Sequence, residues 1–310
     1  MKSKLLLRGA ESWLQDHWDI RAAGNFIGGG TGTGFLAMSA ATVLAGGATV
    51  MPLALLGLAF VGFGLFCVWL EIGRMLRAAN VIFHPQTSWM SREALVAAPL
   101  FAVGLFAAWF RDTDALLATA ALGLVFLYCQ GRILMAAKGI PAWREPTIMP
   151  FILLTALAEG AGLMGSIGWF LVPANYLFWL PPAFLILVAL RYVAWRLHQK
   201  HMIVNGMPKG TLKAFQRYNL TIFVGGHLAP SALLAMGYAL PYPTGLYAVI
   251  LGALLALLGG WLMKYVLITK AAFNQGFQLP HEPVRGSGKP GPSAKPGWTA
   301  PSSATTGRTS

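Results

Sequence analysis

Carboxylates, histidines and arginines are the side chains of this chain that can move protons or steer electrons, and few of them stand where chemistry is possible. Of its ten acids, Glu11, Asp16, Asp19, Glu71, Glu93, Glu145 and Glu282 flank apolar runs, and Asp112 and Asp114 share a short turn. Only Glu159 falls well inside an apolar run, in TALAEGAG at residues 155–162. An ionised, unpaired carboxylate there costs several kcal/mol. Glu159 is therefore neutral, paired or facing water, as a proton relay, a polar wall of a site or a helix-to-helix hydrogen bond. The histidines are His17, His84, His198, His201, His227 and His281, and only His227 lies well within an apolar run. A bis-histidine haem has no ligand set. No metal-ligand spacing, catalytic triad or paired carboxylate site is present either.

The polar residues are densest at 71–93, EIGRMLRAANVIFHPQTSWMSRE. Three arginines, two acids, an Asn, a Gln and a Trp occupy one connection between apolar runs. A plain connection needs far fewer residues. The stretch reads either as an interfacial anchor, with Arg to headgroups and Trp89 in the aromatic belt, or as a surface that docks a partner and lines a ligand pocket. The docking candidates are Arg74, His84 and Arg92. A second conspicuous string, GGGTGTG at 28–34, resembles a phosphate cradle. No Lys follows it as a P-loop requires, and no strand precedes it as a dinucleotide fold requires. Its small-xxx-small spacings, Gly28 with Gly32 and Gly30 with Gly34, instead suit close helix packing in a membrane.

The elements that must position these groups follow from composition. The chain has 310 residues, 56% hydrophobic and only 11% charged, against about 25% charged in a soluble domain. Lipid is the natural solvent for such a surface. Eight continuous apolar segments near the ~20-residue span length occur at 26–45, 51–70, 94–110, 116–134, 149–171, 176–193, 220–240 and 245–267. Continuous runs, with no alternation, exclude a transmembrane β-barrel. The expected fold is an all-α integral membrane protein of eight transmembrane helices, arranged as two four-helix bundles. Residues 1–22 read as an amphipathic cytoplasmic N-terminus, 23–274 as the membrane domain and 275–310 as a disordered cytoplasmic tail.

The net charge of +13 reflects topology, not nucleic acid. Every Lys and Arg except Arg111 belongs to one set of connections and helix ends: the N-terminus, 71–93, 135–148, 194–219 and the tail. The positive-inside bias places that set, with both termini, in the cytoplasm. Cys67 and Cys129 lie in apolar runs without CxxC or Cys/His spacing, which signals neither a disulfide framework nor a metal site.

At the residues of the long loop the sequence resembles the membrane anchor subunits of molybdenum-dependent oxidoreductases of the DMSO reductase and polysulfide reductase type. The run Glu71-Ile72-Gly73-Arg74-Met75-Leu76-Arg77 matches the family at the end of its second helix. Trp89-Met90-Ser91-Arg92-Glu93 matches the start of its third. The fuller string HPQTSWMSRE, at 84–93, with the glycine-rich first helix, is most similar to the anchor of a phenylacetyl-CoA acceptor oxidoreductase. The resemblance covers about residues 10–275 and leaves out the tail.

The resemblance implies a quinone site, for ubiquinone or menaquinone, near the face where an iron–sulfur subunit docks and passes electrons to or from a molybdopterin catalytic subunit. It implies no haem and no iron–sulfur cluster in the anchor itself, and a place in anaerobic electron transport in the bacterial inner membrane. It assigns quinone chemistry to Glu93 and Arg77. Glu71 stands where the DMSO type has His, and Asn25 is a loose counterpart of an Asn in the polysulfide type. Such a site needs an apolar slot, hydrogen bonds to the carbonyls and a group that moves protons. Trp89 is a candidate wall and Glu159 a further proton-transfer candidate. The competing reading is a transporter or channel with Glu159 and His227 on its path. A reporter fused to the C-terminus is expected to fold in the cytoplasm; an external location would reverse the charge-based topology.

Overall fold

The computed structural model describes residues 11–47, 49–72, 80–279 and 295–300. They form long helices: α1 (Ile20–Leu44), α2 (Val50–Glu71), α3 (Trp89–Phe110), α4 (Thr113–Ala136), α5 (Ile148–Leu171), α6 (Leu180–Asn205), α7 (Lys209–Ala239) and α8 (Thr244–Lys270). A helical turn at Pro141–Arg144 precedes α5, and a 3-10 turn at Ala174–Tyr176 precedes α6. Two isolated bridges are the only β-type pairings among the described residues. Seven helices, α2 to α8, are long and apolar enough to cross a membrane. Helix α1 has 25 residues, about 37 Å of rise, but falls outside that set. Its glycines, threonines and serine dilute its hydropathy, and it can carry them because protein, not lipid, surrounds it: most of its residues are buried.

Helix α1 packs on α2, α4, α5 and α8, and α5 in turn packs on α4, α6 and α8. In α5, 72% of the apolar window is buried, against 28% in α7, so α5 is central and α7 peripheral. Backbone contact makes this arrangement possible. A Cβ on Gly28 would lie 2.7 Å from the Gly64 nitrogen and the Phe60 carbonyl oxygen of α2. A Cβ on Gly34 would overlap the Ala156 carbonyl oxygen of α5, and one on Gly160 would overlap the Gly34 backbone. In lipid, where apolar burial gives little driving force between helices, such close approach supplies the packing energy.

Several helices extend beyond their apolar runs, because a hydropathy window finds the lipid-length core and not the cap. Helix α3 begins at Trp89, five residues before the expected start, where Ser88 caps it by accepting from the Ser91 amide at 3.3 Å. Asp112 caps α4 by accepting from the Ala115 amide at 2.6 Å. Helix α6 starts at Leu180 rather than 176, with prolines in its first turn, and runs on through 194–205, expected as loop. Residues 209–219, also expected as loop, form the amphipathic first half of α7, with Thr211 and Phe215 buried. Both α7 and α8 contain π turns, at Val224–Leu228 and Val266–Lys270.

The segment before α1 meets the segment after α8. The Gln15 amide donates to Ala272 O at 3.1 Å and the Asn274 amide to Trp13 O at 2.9 Å, across the Leu14–Phe273 bridge. Within the stretch expected as a disordered tail, residues 275–279 and 295–300 take defined positions. Lys209, at the start of α7, donates its amide to Gly297 O at 2.8 Å, and the Thr299 amide donates to Met207 O at 2.8 Å. A helix start has unpaired amides, and Gly297 satisfies one of them; composition alone does not reveal such a partner. Packing on this pattern predicts that Gly34→Leu destabilises the fold by about 1–3 kcal/mol or more, whereas Gly62→Ala, whose Cβ would lie 3.5 Å from the Phe101 ring, is tolerated. Thermal unfolding of the two purified variants in detergent measures the difference.

Candidate functional site

At the end of the bundle where α1 and α3 begin and α2 and α4 end, a cavity of about 100 Å3 opens beside Glu93. Asn25 and Phe26 of α1, Glu71 of α2 and Ile133 of α4 line it, with Trp18 and Met90. The short turn into α1 is fixed by Asp19, whose carboxylate accepts from the Arg21 amide at 2.8 Å and pairs with its guanidinium at 2.9 Å. That hydrogen bonding from Arg21 holds the Asp19 carboxyl below its ordinary range. Arg21 also donates to Leu70 O at 2.8 Å and so ties α1 to the end of α2 beside Glu71. Trp18 stacks on Trp143 at 4.7 Å.

Glu93 is 4% exposed. Its Oε1 has no hydrogen-bond partner among the described residues, and neither have Asn25 Oδ1 and Gln130 Oε1. The side chains of Gln130 and Asn25 approach the carboxylate, and Gln130 donates to Asn25 O at 3.2 Å. Gln130 reaches this position because Gly29 has no side chain; a Cβ there would overlap its amide. On the lipid-facing side, Glu93 also borders an apolar groove of about 380 Å3 between α2 and α3, walled by Phe66, Trp69 and Ala94. Phe66 and Trp69 stack at 5.8 Å and are both exposed. Met90, Val68 and Ile72 belong to both spaces. A buried carboxylate with no ion pair among the described residues thus stands where a small cavity bordered by Asn25 and Glu71 joins an apolar groove, and that arrangement can exchange a proton with a flat, largely apolar molecule.

The structure brings Glu93, Glu71 and Asn25 together, three of the residues singled out from sequence. Arg77 and Arg74 lie outside the described residues. Trp89 does not line the cavity: its ring lies under the guanidinium groups of Arg92 and Arg132, at 4.0 and 4.5 Å from the centroid, and edge-on to Tyr128. Arg92 donates to Pro85 O at 2.6 Å and Gln86 O at 2.9 Å, which pins its own loop. His84 is exposed. Gln130 was absent from the sequence-based set, although a lone amide within the fourth apolar run was a usable signal.

Glu159 belongs to a second centre, in which its Oε2 is paired and its Oε1, like that of Glu93, has no hydrogen-bond partner among the described residues. Lys264 of α8, grouped by sequence with the helix-end cations, is fully buried and pairs with Glu159 Oε2 at 2.6 Å. Lys264 also donates to Phe26 O at 2.8 Å, and Thr31 donates to Glu159 Oε2 at 3.1 Å. Gly30 makes room for the ammonium, since a Cβ there would overlap it. Around Gly260 the centre continues into Arg191: a Cβ on Gly260 would lie 2.8 Å from Glu159 Oε1 and 3.1 Å from Arg191 Nη1. Arg191, likewise assigned to a helix end, is fully buried and donates to Ala256 O, Gly226 O and His227 Nε2. His227 Nδ1 in turn meets Ile222 O at 2.8 Å. Glu159 and His227 are therefore held by internal partners. His198, placed by sequence beyond the sixth apolar run, is fully buried in α6 and meets Thr147 Oγ1 at 2.9 Å.

Residues 23–279 match the family described as DMSO reductase anchor subunit (DmsC). The chain belongs to this family. Membership makes it a multi-pass membrane anchor subunit of a DMSO reductase-type complex, associated with the catalytic and electron-transfer subunits of such a complex. The match spans α1 to α8 and takes in both polar centres. The resemblance carried by the 71–93 loop is borne out at this level. Comparison with curated proteins gave no match.

Within the anchor, the ion-paired centre predicts a stability effect that the Glu93 site does not. Lys264→Met strands a buried carboxylate and is expected to cost about 3–5 kcal/mol. Adding Glu159→Gln, which removes the stranded charge, is expected to restore most of the loss. Chemical unfolding of the single and double variants in detergent gives the coupling directly.

Proposed function

We propose that this anchor is the quinone-reactive subunit of a molybdopterin and iron–sulfur oxidoreductase complex, exchanging electrons between a docked iron–sulfur subunit and membrane quinone. On this reading α1 is an eighth span, the helices form two four-helix bundles, and both termini face the cytoplasm of a bacterial inner membrane. The long-loop string favours a complex of the phenylacetyl-CoA acceptor type, with the partner on the cytoplasmic face. The observation that carries the proposal is the buried Glu93 carboxylate, without an ion pair among the described residues, at the join of a small cavity shared with Asn25 and Glu71 and an apolar groove.

A bound quinone supplies the two-electron, two-proton chemistry. The protein's task is to admit, orient and protonate. The groove beside Phe66 and Trp69 admits an apolar tail from the bilayer. Asn25 and Gln130 offer amide hydrogen bonds to a carbonyl. Glu93 Oε1 holds the exchangeable proton, and Glu71, half-buried at the same cavity, passes it to or from water at the membrane surface. Met90, Val68 and Ile72 exclude bulk water from the ring. Arg77 completes the site on the strength of the family resemblance. The transporter reading has less support, because Glu159 and His227 are held by internal partners.

Glu93→Gln keeps the shape and removes the proton carrier. In the assembled complex it is expected to slow electron exchange with quinone by about 10²-fold or more, while substrate oxidation or reduction with a water-soluble electron mediator stays normal. Normal quinone turnover in a fully assembled Glu93→Gln complex rules out this site.

A further inference from the structure

Beside the short connection at 206–208, α6 and α7 line a cleft of about 580 Å3. One stripe of α6, Val193, Arg196, Leu197, Lys200 and Ile203, faces a stripe of α7 that includes Phe215, Gln216 and Asn219. The spacing of three and four residues puts each set on one helix face. The cleft is about 15 Å long by helix rise from Val193 to Ile203, comparable with one leaflet of the hydrocarbon core, about 15 Å. Val193, Leu197 and Ile203 are exposed there at 50%, 47% and 48%. Arg196 and Lys200 project into the same space, make no ion pair with the described residues, and no acid lines the cleft. Lys213 and Arg217 follow on the exposed surface of α7.

An apolar cleft whose cations have no acidic partner among the described residues is poorly matched to water and poorly matched to plain hydrocarbon. It matches a molecule that carries both an acyl chain and a negative charge. We propose that this cleft is a binding site for one anionic phospholipid. Its phosphate lies between Arg196 and Lys200, with the amides of Gln216 and Asn219 donating to its oxygens, and an acyl chain follows the wall made by Val193, Leu197 and Phe215. Basic clefts between membrane helices are suited to such headgroups, and each nearby Lys or Arg adds to the attraction. The site is remote in sequence from the Glu93 cavity and does not depend on the quinone reading.

Native mass spectrometry of the purified complex, stripped of lipid and then given phosphatidylglycerol or phosphatidylcholine, tests this. The wild type is expected to retain one phosphatidylglycerol per anchor with about tenfold preference or more. Arg196→Gln with Lys200→Gln is expected to abolish the preference, and Ile203→Trp to lower retention of both lipids by filling the cleft. All three side chains are exposed, so unfolding in lipid-free detergent should match the wild type and separate lost binding from lost fold. Equal retention of the two lipids by the wild type, or undiminished preference in the double variant, overturns the proposal. So does a photo-crosslinker at position 203 that captures a polypeptide of the complex in place of lipid.

Discussion

The close backbone approach of α1 to α2 and α5 is the constraint on which the molecule depends. Where two helix backbones touch, side chains are excluded, and the glycines at 28, 34, 64 and 160 meet that requirement at the contact points. Their absence of side chains has a second effect. Gly29 and Gly30 leave room for the ends of Gln130 and Lys264, so the stripe that packs α1 also delivers polar groups from α4 and α8 to it. Packing and polarity are coupled on one helix, and α1 tolerates its own polar residues because it meets little lipid.

The two polar centres that flank α1 differ in one physical respect. At Glu159 one carboxylate oxygen, Oε2, is taken by Lys264 and Thr31, Arg191 and His227 pair beside it, and Oε1 has no hydrogen-bond partner among the described residues. In a membrane, a charge cluster of this kind persists through mutual neutralisation and dense hydrogen bonding, and it acts as a cross-link among α1, α5, α6, α7 and α8. At Glu93 the carboxylate is 4% exposed and makes no ion pair with the described residues, and cavity and groove converge on it. The first centre is held by a buried ion pair, and the second lies at the edge of two spaces. That difference in ion pairing and access, more than burial, is what the proposed role of Glu93 rests on.

Surface chemistry follows the solvent. The stacked Phe66 and Trp69 present an apolar face to lipid. Arg92 and Arg132 over Trp89 join cation and ring at the helix end, an arrangement suited to the headgroup layer. The extended α6 and α7 carry their cations beyond the apolar core, and segment 295–300 supplies a backbone partner to the first turn of α7.

Sequence alone determined that this chain is helical and membrane-bound, and it located an apolar segment within every long helix. Apolar length is a local property, and each span satisfies its backbone hydrogen bonds internally. Sequence also selected Glu93, Glu71 and Asn25, through the resemblance to the anchor family carried by the 71–93 loop and the first helix. It misread Lys264 and Arg191 as helix-end cations, since a charge near the end of an apolar run looks the same whether it reaches water or turns inward to a partner on another helix. It missed Gln130 and set Glu159 beside Glu93, because distance between helices is not written along the chain. Only the tertiary structure decided which glycines touch backbone and which make room for a charge, and which of two buried carboxylates is already paired. Those outcomes depend on helix rotation and register, which the packing of all the helices fixes together.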